Sequence, residues 1–490
     1  ILNQGTINIQ GDNSSGVAIL NTIQDVRVNG NINIGKVDPT TLSANGASSA
    51  LANETTGTAN KVEGSVGVYT EVATRPVRGR EYTYDADGNL TSTVKYYDDH
   101  GNENSRETYV EYTNAKSETK KRYSSTTTGT ETVEVGATIT LGDNALSSYG
   151  LRNNTSTVVT KDKDGKQANY TTSGSITLVS GGKVIVKGEK NYGAVSAGDK
   201  YQREVKKDAT GYATRVEEIG KIDINYNAEI EVTGKESIGY AMLSGQGTNR
   251  GTITVTGNNT PVPGSTNYKG SLGFYGEKGS FTNEEEGTIY SYGTLAHAVA
   301  LIGDTTDGFT FNNKGIISAA GDGNIGVYAD KKYIFNHQGP GRIYARPGAV
   351  GIYAKNSTNL PDTDSKVNIN ATIDIDDSST NATTIGIYSD GKAHVGFGSN
   401  SKLIVGTGAV GLYSADATKF KDTFKVESGK KLEVDLGTNS TFGLFNATSP
   451  TILKAGEYLR NNTIDITSFG TGASIFYTTG GATTEIDKDY

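Results

Sequence analysis

The chain has 490 residues, no Cys, 63 Gly, only 8 Pro and a formal charge of −8. That length allows several globular domains or one long repeat array. The charge balance argues against a nucleic-acid partner, which prefers a basic face, and the Pro count excludes a collagen or a Pro-rich linker. An apolar fraction of 34% is thin for a globular core. It suits a fold in which each unit buries only a narrow column of side chains.

The first stretch, residues 1–69, opens on Ile1 with short alternating runs such as Thr6-Ile7-Asn8-Ile9. Apolar residues alternate with polar ones, which predicts half-buried strands, and Gly, Asn and Asp between the runs supply turns. No run of some 18 apolar residues occurs, so no helix is expected to span a membrane. The absence of Cys suits a protein exported unfolded. The chain opens without a signal peptide, inside a repeat-like strand, so the expectation is a segment of a longer protein.

Residues 70–134 abandon this grammar. The turn signals Asp87-Gly88-Asn89 and His100-Gly101-Asn102 lie between runs rich in Tyr, Thr and Val. They predict an inserted β-hairpin or three-stranded meander. Tyr82, Tyr84, Tyr96, Tyr97, Tyr109 and Tyr112 crowd this insertion, with Arg78, Arg80 and Arg122 beside them. Tyr and Arg dominate binding hot spots, so these residues are the candidate ligand-binding set.

Residues 135–218 return to coil-like strands with two more hairpins. One is predicted from Val158 to Tyr170, turning at Lys163-Asp164-Gly165; the other runs from Tyr201 to Val216, turning at Thr210-Gly211. Asp162-Lys163-Asp164-Gly165 and Asp85-Ala86-Asp87-Gly88-Asn89 lack the remaining ligands of a calcium loop and read as hairpin turns. No metal and no cofactor is expected. Insertions into a solenoid gather on one side, often the binding side.

Residues 219–490 carry the regular repeat. Ile325-Gly326-Val327-Tyr328, Val350-Gly351-Ile352-Tyr353, Ile385-Gly386-Ile387-Tyr388 and Val410-Gly411-Leu412-Tyr413 recur at a solenoid-like period. A unit such as Phe309–Ala329 reads as three short strands joined by tight turns, the plan of a parallel β-helix, right-handed as parallel crossovers generally are. Nine or ten coils are expected from Ile219 to Tyr477. Strict alternation places Val350, Ile352 and Ala354 inside, with Gly351 and Tyr353 outside. Tyr328, Tyr353, Tyr388 and Tyr413 should then form an external aromatic column that staples the coils, continued by Phe445. The fold expected is all-β, a right-handed parallel β-helix with inserted hairpin subdomains.

Enzyme signatures are sparse. His100, His297, His337 and His394 have no second ligand at metal-motif spacing. The acidic runs Asp374, Asp376, Asp377 and Glu284-Glu285-Glu286 are neighbours in sequence, which does not place two carboxylates across a sugar. No catalytic residue is assigned. A β-helical polysaccharide lyase or hydrolase is the enzymatic alternative, and a passive stalk the structural one.

The strings IGVYAD, VGIYAKN, IGIYSDG and VGLYSAD, with Asn313-Lys314-Gly315-Ile316-Ile317 and Arg250-Gly251-Thr252-Ile253-Thr254-Val255, resemble the passenger repeats of large type Va autotransporter adhesins of fusobacteria. The resemblance covers 219–480 well and 1–69 in part; it does not reach the inserted hairpins. It implies a virulence-associated rod on the cell surface, exported through an outer-membrane barrel absent from this chain. Its implied partners are a host cell-surface receptor or a galactose-type glycan (a lectin activity), and partner bacteria in coaggregation. Both the galactose-inhibitable and the arginine-inhibitable branches fit.

Overall fold

The structure, a computed structural model, describes residues 2–20, 26–35, 61–71, 81–84, 90–94, 109–113, 119–123, 130–154, 156–161, 167–169, 173–197, 214–218, 221–257, 270–361, 364–376 and 383–485. These form a parallel β-helix with three strand faces per coil. A 23-stranded sheet holds the first and second faces and a 13-stranded sheet holds the third. The first two share a sheet because strands Tyr333–Ala345 and Ser365–Ile375 round the corner between them without a break.

One coil shows the plan. Phe309–Asn313 lies on the first face, Ile316–Ala319 on the second and Ile325–Lys331 on the third. Each pairs in parallel with its counterparts in adjacent coils. Among the described residues nine third-face strands fall between Ile238 and Tyr477, the lower of the two expected numbers.

Alternation drives the first two faces. Along Ser365–Ile375 every second residue is buried. On the second face Ile34, Leu141, Val186, Val232 and Val255 stack in one register column, all fully or almost fully buried. Each such side chain contributes about 1.5–3 kcal/mol by leaving water. In the middle coils the interior becomes aromatic: Phe274 lies 4.2 Å from Phe281 and 5.2 Å from Phe311.

The corners repeat as faithfully as the strands. Ahead of the third face one residue adopts positive φ in coil after coil, including Lys190 (φ 55), Leu295 (φ 52), Gly348 (φ 81) and Gly408 (φ 76). After Gly64, Ser147, Lys190 and Glu236, which share this conformation, a buried Ser or Asn follows and reaches the neighbouring coil. Ser65 N–H donates to Ser148 Oγ (3.1 Å), Ser148 N–H to Asn191 Oδ1 (2.9 Å) and Asn191 N–H to Ser237 Oγ (3.1 Å). These side chains satisfy corner backbone groups that have no strand partner.

The last coil has no first-face strand. Helix Ala455–Asn461 takes that place, and Tyr458 donates its hydroxyl to the carbonyl of Phe424 at 2.8 Å. Phe420, Phe445, Tyr458 and Phe476 close the core there as one aromatic cluster.

Candidate functional site

The insertions leave from one corner. Residues 72–129 follow the third-face strand Val66–Glu71, residues 154–172 follow Tyr149–Asn153, and residues 197–220 follow Tyr192–Ser196. These three strands are consecutive in the third sheet. Solenoid geometry explains the clustering: a loop there displaces no rung, since chain leaves and re-enters between one coil and the next.

The first insertion holds two separate two-stranded hairpins. Glu81–Tyr84 pairs antiparallel with Leu90–Val94; Asp87-Gly88-Asn89 between them lies outside the described residues. Tyr109–Thr113 pairs with Thr119–Tyr123, and the predicted His100-Gly101-Asn102 turn lies outside the described residues. The candidate residues divide accordingly. Tyr82 and Tyr84 lie on the first hairpin, opposite Thr93 and Leu90. Tyr109, Tyr112 and Arg122 lie on the second, opposite Tyr123, Lys120 and Val110. Arg78, Arg80, Tyr96, Tyr97 and His100 lie outside the described residues.

The second predicted hairpin forms, with Val159 opposite Asn169 and Thr160 opposite Ala168. Of the third predicted hairpin the structure describes Thr214–Glu218. Thr214–Glu218 runs antiparallel to Ser156–Lys161, the strand of the preceding insertion, making a three-stranded sheet that joins two coils' excursions. Residues 201–213 lie outside the described residues.

The tyrosine column is present on the third face. Ring centroids are 5.3 Å apart for Tyr328 and Tyr353, 4.5 Å for Tyr353 and Tyr388, and 4.8 Å for Tyr388 and Tyr413. The rings are half-buried, and burial pushes the hydroxyl of Tyr328 up to about 12. Phe445 does not continue the column. It pairs with Ser414 and is fully buried, while Leu444 stands opposite Tyr413. The FGLF string is offset by one residue: its Gly443 aligns with Leu412, and Phe442 occupies the place of Gly411.

The repeated glycine is corrected too. It faces the interior, not the tyrosine side. A Cβ on Gly351 would lie 2.6 Å from the Gly386 carbonyl and 3.6 Å from the buried Ala345 methyl. Gly239 meets Gly273, Gly273 meets Ala298 and Gly326 meets Gly351 in the same way, each at 2.5–2.6 Å. Gly351 and Ile352 are therefore both buried, and Val350 is left half-exposed at the corner.

The ends of the repeat strings have a defined role. Asp330 accepts from the backbone N–H groups of Lys331 (2.8 Å) and Ser357 (2.9 Å). Asp390 accepts from Lys392 and Ala393, and Asp416 from Thr418. YAD, YSD and YSAD thus combine an outward aromatic with the acid that caps the next corner. The acidic runs sit on the surface in ion pairs: Arg346 lies 3.7 Å from Asp374 and 3.9 Å from Asp376, and Lys314 lies 3.1 Å from Glu284. Asp377 is outside the described residues.

An internal ladder escaped the sequence reading. Asn249 Nδ2 donates to Asn283 Oδ1 (2.8 Å), Asn283 Nδ2 to Asn313 Oδ1 (2.8 Å), and Asn313 Nδ2 meets His337 Nδ1 (3.1 Å). His337 Nε2 meets the Thr372 carbonyl at 2.9 Å. Burial lowers this histidine to about 4. The signal was the alignment of FTN, FNN and FNH at the ends of first-face strands.

No family model matches the chain, and no curated protein or solved structure shows significant similarity to it.

Proposed function

We propose that this chain is an adhesive segment of a bacterial surface rod, and that the hairpins at the 72–129 corner make the contact. The carrying observation is the gathering of three insertions on one corner of consecutive coils. Such excursions are where binding residues accumulate on rigid scaffolds. The partner would be a host cell-surface receptor or a galactose-type glycan, met by Tyr and Arg of the two hairpins. The rod itself would be exported and anchored by an outer-membrane barrel outside this chain, and would act without catalysis.

The test is excision of residues 80–122 with closure by a short Gly-Ser linker. The expected result is loss of attachment to host cells and partner bacteria, with the β-rich circular dichroism and the melting midpoint retained. Attachment that survives excision overturns the assignment of the hairpins. Absence of attachment by the intact segment as well would make it a spacer.

A further inference from the structure

The three faces differ in charge. On the third face the segments 192–196, 238–242, 272–276, 297–301, 325–329, 350–354, 385–389, 410–414, 441–445 and 474–478 contain no Asp, Glu, Lys or Arg. The second face of the same coils is studded with ions: Lys183 bridges Glu229 and Glu231, Lys402 meets Asp435, and Lys431 meets Asp465. The outward positions of the third face are held instead by residues such as Leu272, Tyr275, Val350, Tyr353, Ile385 and Tyr388, all half-exposed.

From this contrast we propose that the third face is a docking surface for a second copy of this chain, pairing two rods side by side. Two arguments select that occupant. The first is area. Ten rungs at ~4.8 Å and strands of five residues at ~3.3 Å give a surface of roughly 43 by 16 Å. That is on the order of 700 Å² per copy and 1,400 Å² for the pair, inside the range of stable protein interfaces. It also exceeds the apolar patch of a few hundred Å² usual on a monomer.

The second argument is period. Side chains on this face repeat with the rung spacing over its whole length, and another copy presents the same spacing in return. A face matched to itself is the requirement of a two-fold interface. A sugar is a poorer fit to this column. The rings of Tyr388 and Tyr413 are stacked at 13°, each covering a face of the other, and Tyr388 also meets Tyr353 at 69°, so the rings of this part of the column are engaged with one another. Sugar stacking needs a free ring face. The ten segments themselves carry no charge to be stripped of water when the face is covered, which lowers the penalty of pairing; Glu277, Asp330 and Asp390 flank them at the edge.

Sedimentation velocity of the intact chain at rising concentration tests this. The expected result is a shift to twice the single-chain mass. Tyr353→Lys with Tyr388→Lys should abolish that shift, whereas Thr254→Lys on the second face should leave it unchanged, with circular dichroism showing that both variants remain folded. Because the chain has no Cys, single-cysteine variants give an independent reading. Among Leu272→Cys, Val350→Cys and Ile385→Cys, at least one should cross-link to its own copy with a short bismaleimide, and Thr254→Cys should not. A single-chain mass at the highest loading overturns the proposal. So does a dimer that persists in the double lysine variant, or a glycan that binds this face while the chain stays monomeric. Cell attachment lost by excising 80–122 with the dimer intact would separate this surface from the hairpins.

Discussion

Asn313 and His337 meet in the dry interior at 3.1 Å, and the meeting fixes the direction of a polar ladder three asparagines long. Asn313 Oδ1 already accepts from Asn283, so its Nδ2 must donate, and His337 Nδ1 must accept. The imidazole proton then belongs on Nε2, which donates to the Thr372 carbonyl. A second proton has no acceptor at Nδ1.

Acid should therefore weaken the rod. His337 and His297 are both lowered to about 4 by burial, against an ordinary 6.5. Between these values the unfolded chain binds more protons than the folded one, so stability is complete above pH 6.5 and falls as pH drops through 4. The loss should reach about 2 kcal/mol per histidine near pH 5. Denaturant midpoints measured from pH 7 to pH 4 would check it. His337→Leu should remove much of the acid sensitivity and cost about 1–3 kcal/mol at pH 7 through the stranded Asn313 amide and Thr372 carbonyl.

The glycine ladder gives a second expectation. Gly351→Val places a side chain against the Gly386 carbonyl and the Ala345 methyl. Overpacking of this kind costs about 1–3 kcal/mol. A lowered melting midpoint, beside an unchanged one for Gly5→Ala, whose Cβ would meet nothing within 4 Å, is the outcome to measure.

The corner conformation gives a third. Lys190 is exposed and sits at φ 55, a region costly for a residue with a Cβ. Gly occupies the corresponding corner elsewhere, as at Gly348 and Gly408. Lys190→Gly should relieve that backbone and raise stability by about 0.5–1 kcal/mol once the extra freedom of the unfolded chain is deducted. Thermal melts of the two proteins decide it.

Alkali should act on the third face. Burial pushes Tyr275 and Tyr328 up to about 12 and raises Tyr353 and Tyr388 in the same direction. A raised tyrosine stabilises the folded chain fully below pH 10, and that stabilisation drains away as pH climbs from 10 to 12. Phenolate absorbance followed by spectrophotometric titration should show a late-ionising fraction that joins the rest in denaturant. Tyr328→Phe should shrink that fraction.

Much of the rod was written locally. The tyrosine strings lie 25 to 35 residues apart and each contains its strand, its outward ring and a capping Asp or Asn, so repetition alone exposed the column and the three-strand coil. What failed was parity at a bend. Gly351 breaks the alternation that would have put Val350 inside, because a residue without a Cβ lets two successive positions turn toward the core. The same one-residue offset misplaced Phe445. The Asn–His ladder stayed hidden because its members look like turn residues, and their partners are 24 to 34 residues away. Pairing of Thr214–Glu218 with Ser156–Lys161 is likewise invisible to a rule that looks only across the nearest turn. At the candidate site the sequence located the hairpins and the crowding of Tyr and Arg. The shared corner depended on counting rungs, which no local pattern reveals.

The stacking of Gly326 on Gly351 and of Tyr328 on Tyr353 has an arithmetic consequence. The storeys of Tyr328, Tyr353 and Tyr388 offer matching third-face fittings above and below, so one of them can be duplicated or lost with little refitting of that face. Excising residues 329–353 would join Tyr328 to Ala354 and seat the remaining coil beneath Tyr388. The molecule's reach is thereby adjustable in steps of ~4.8 Å, a ruler whose graduations are genetic.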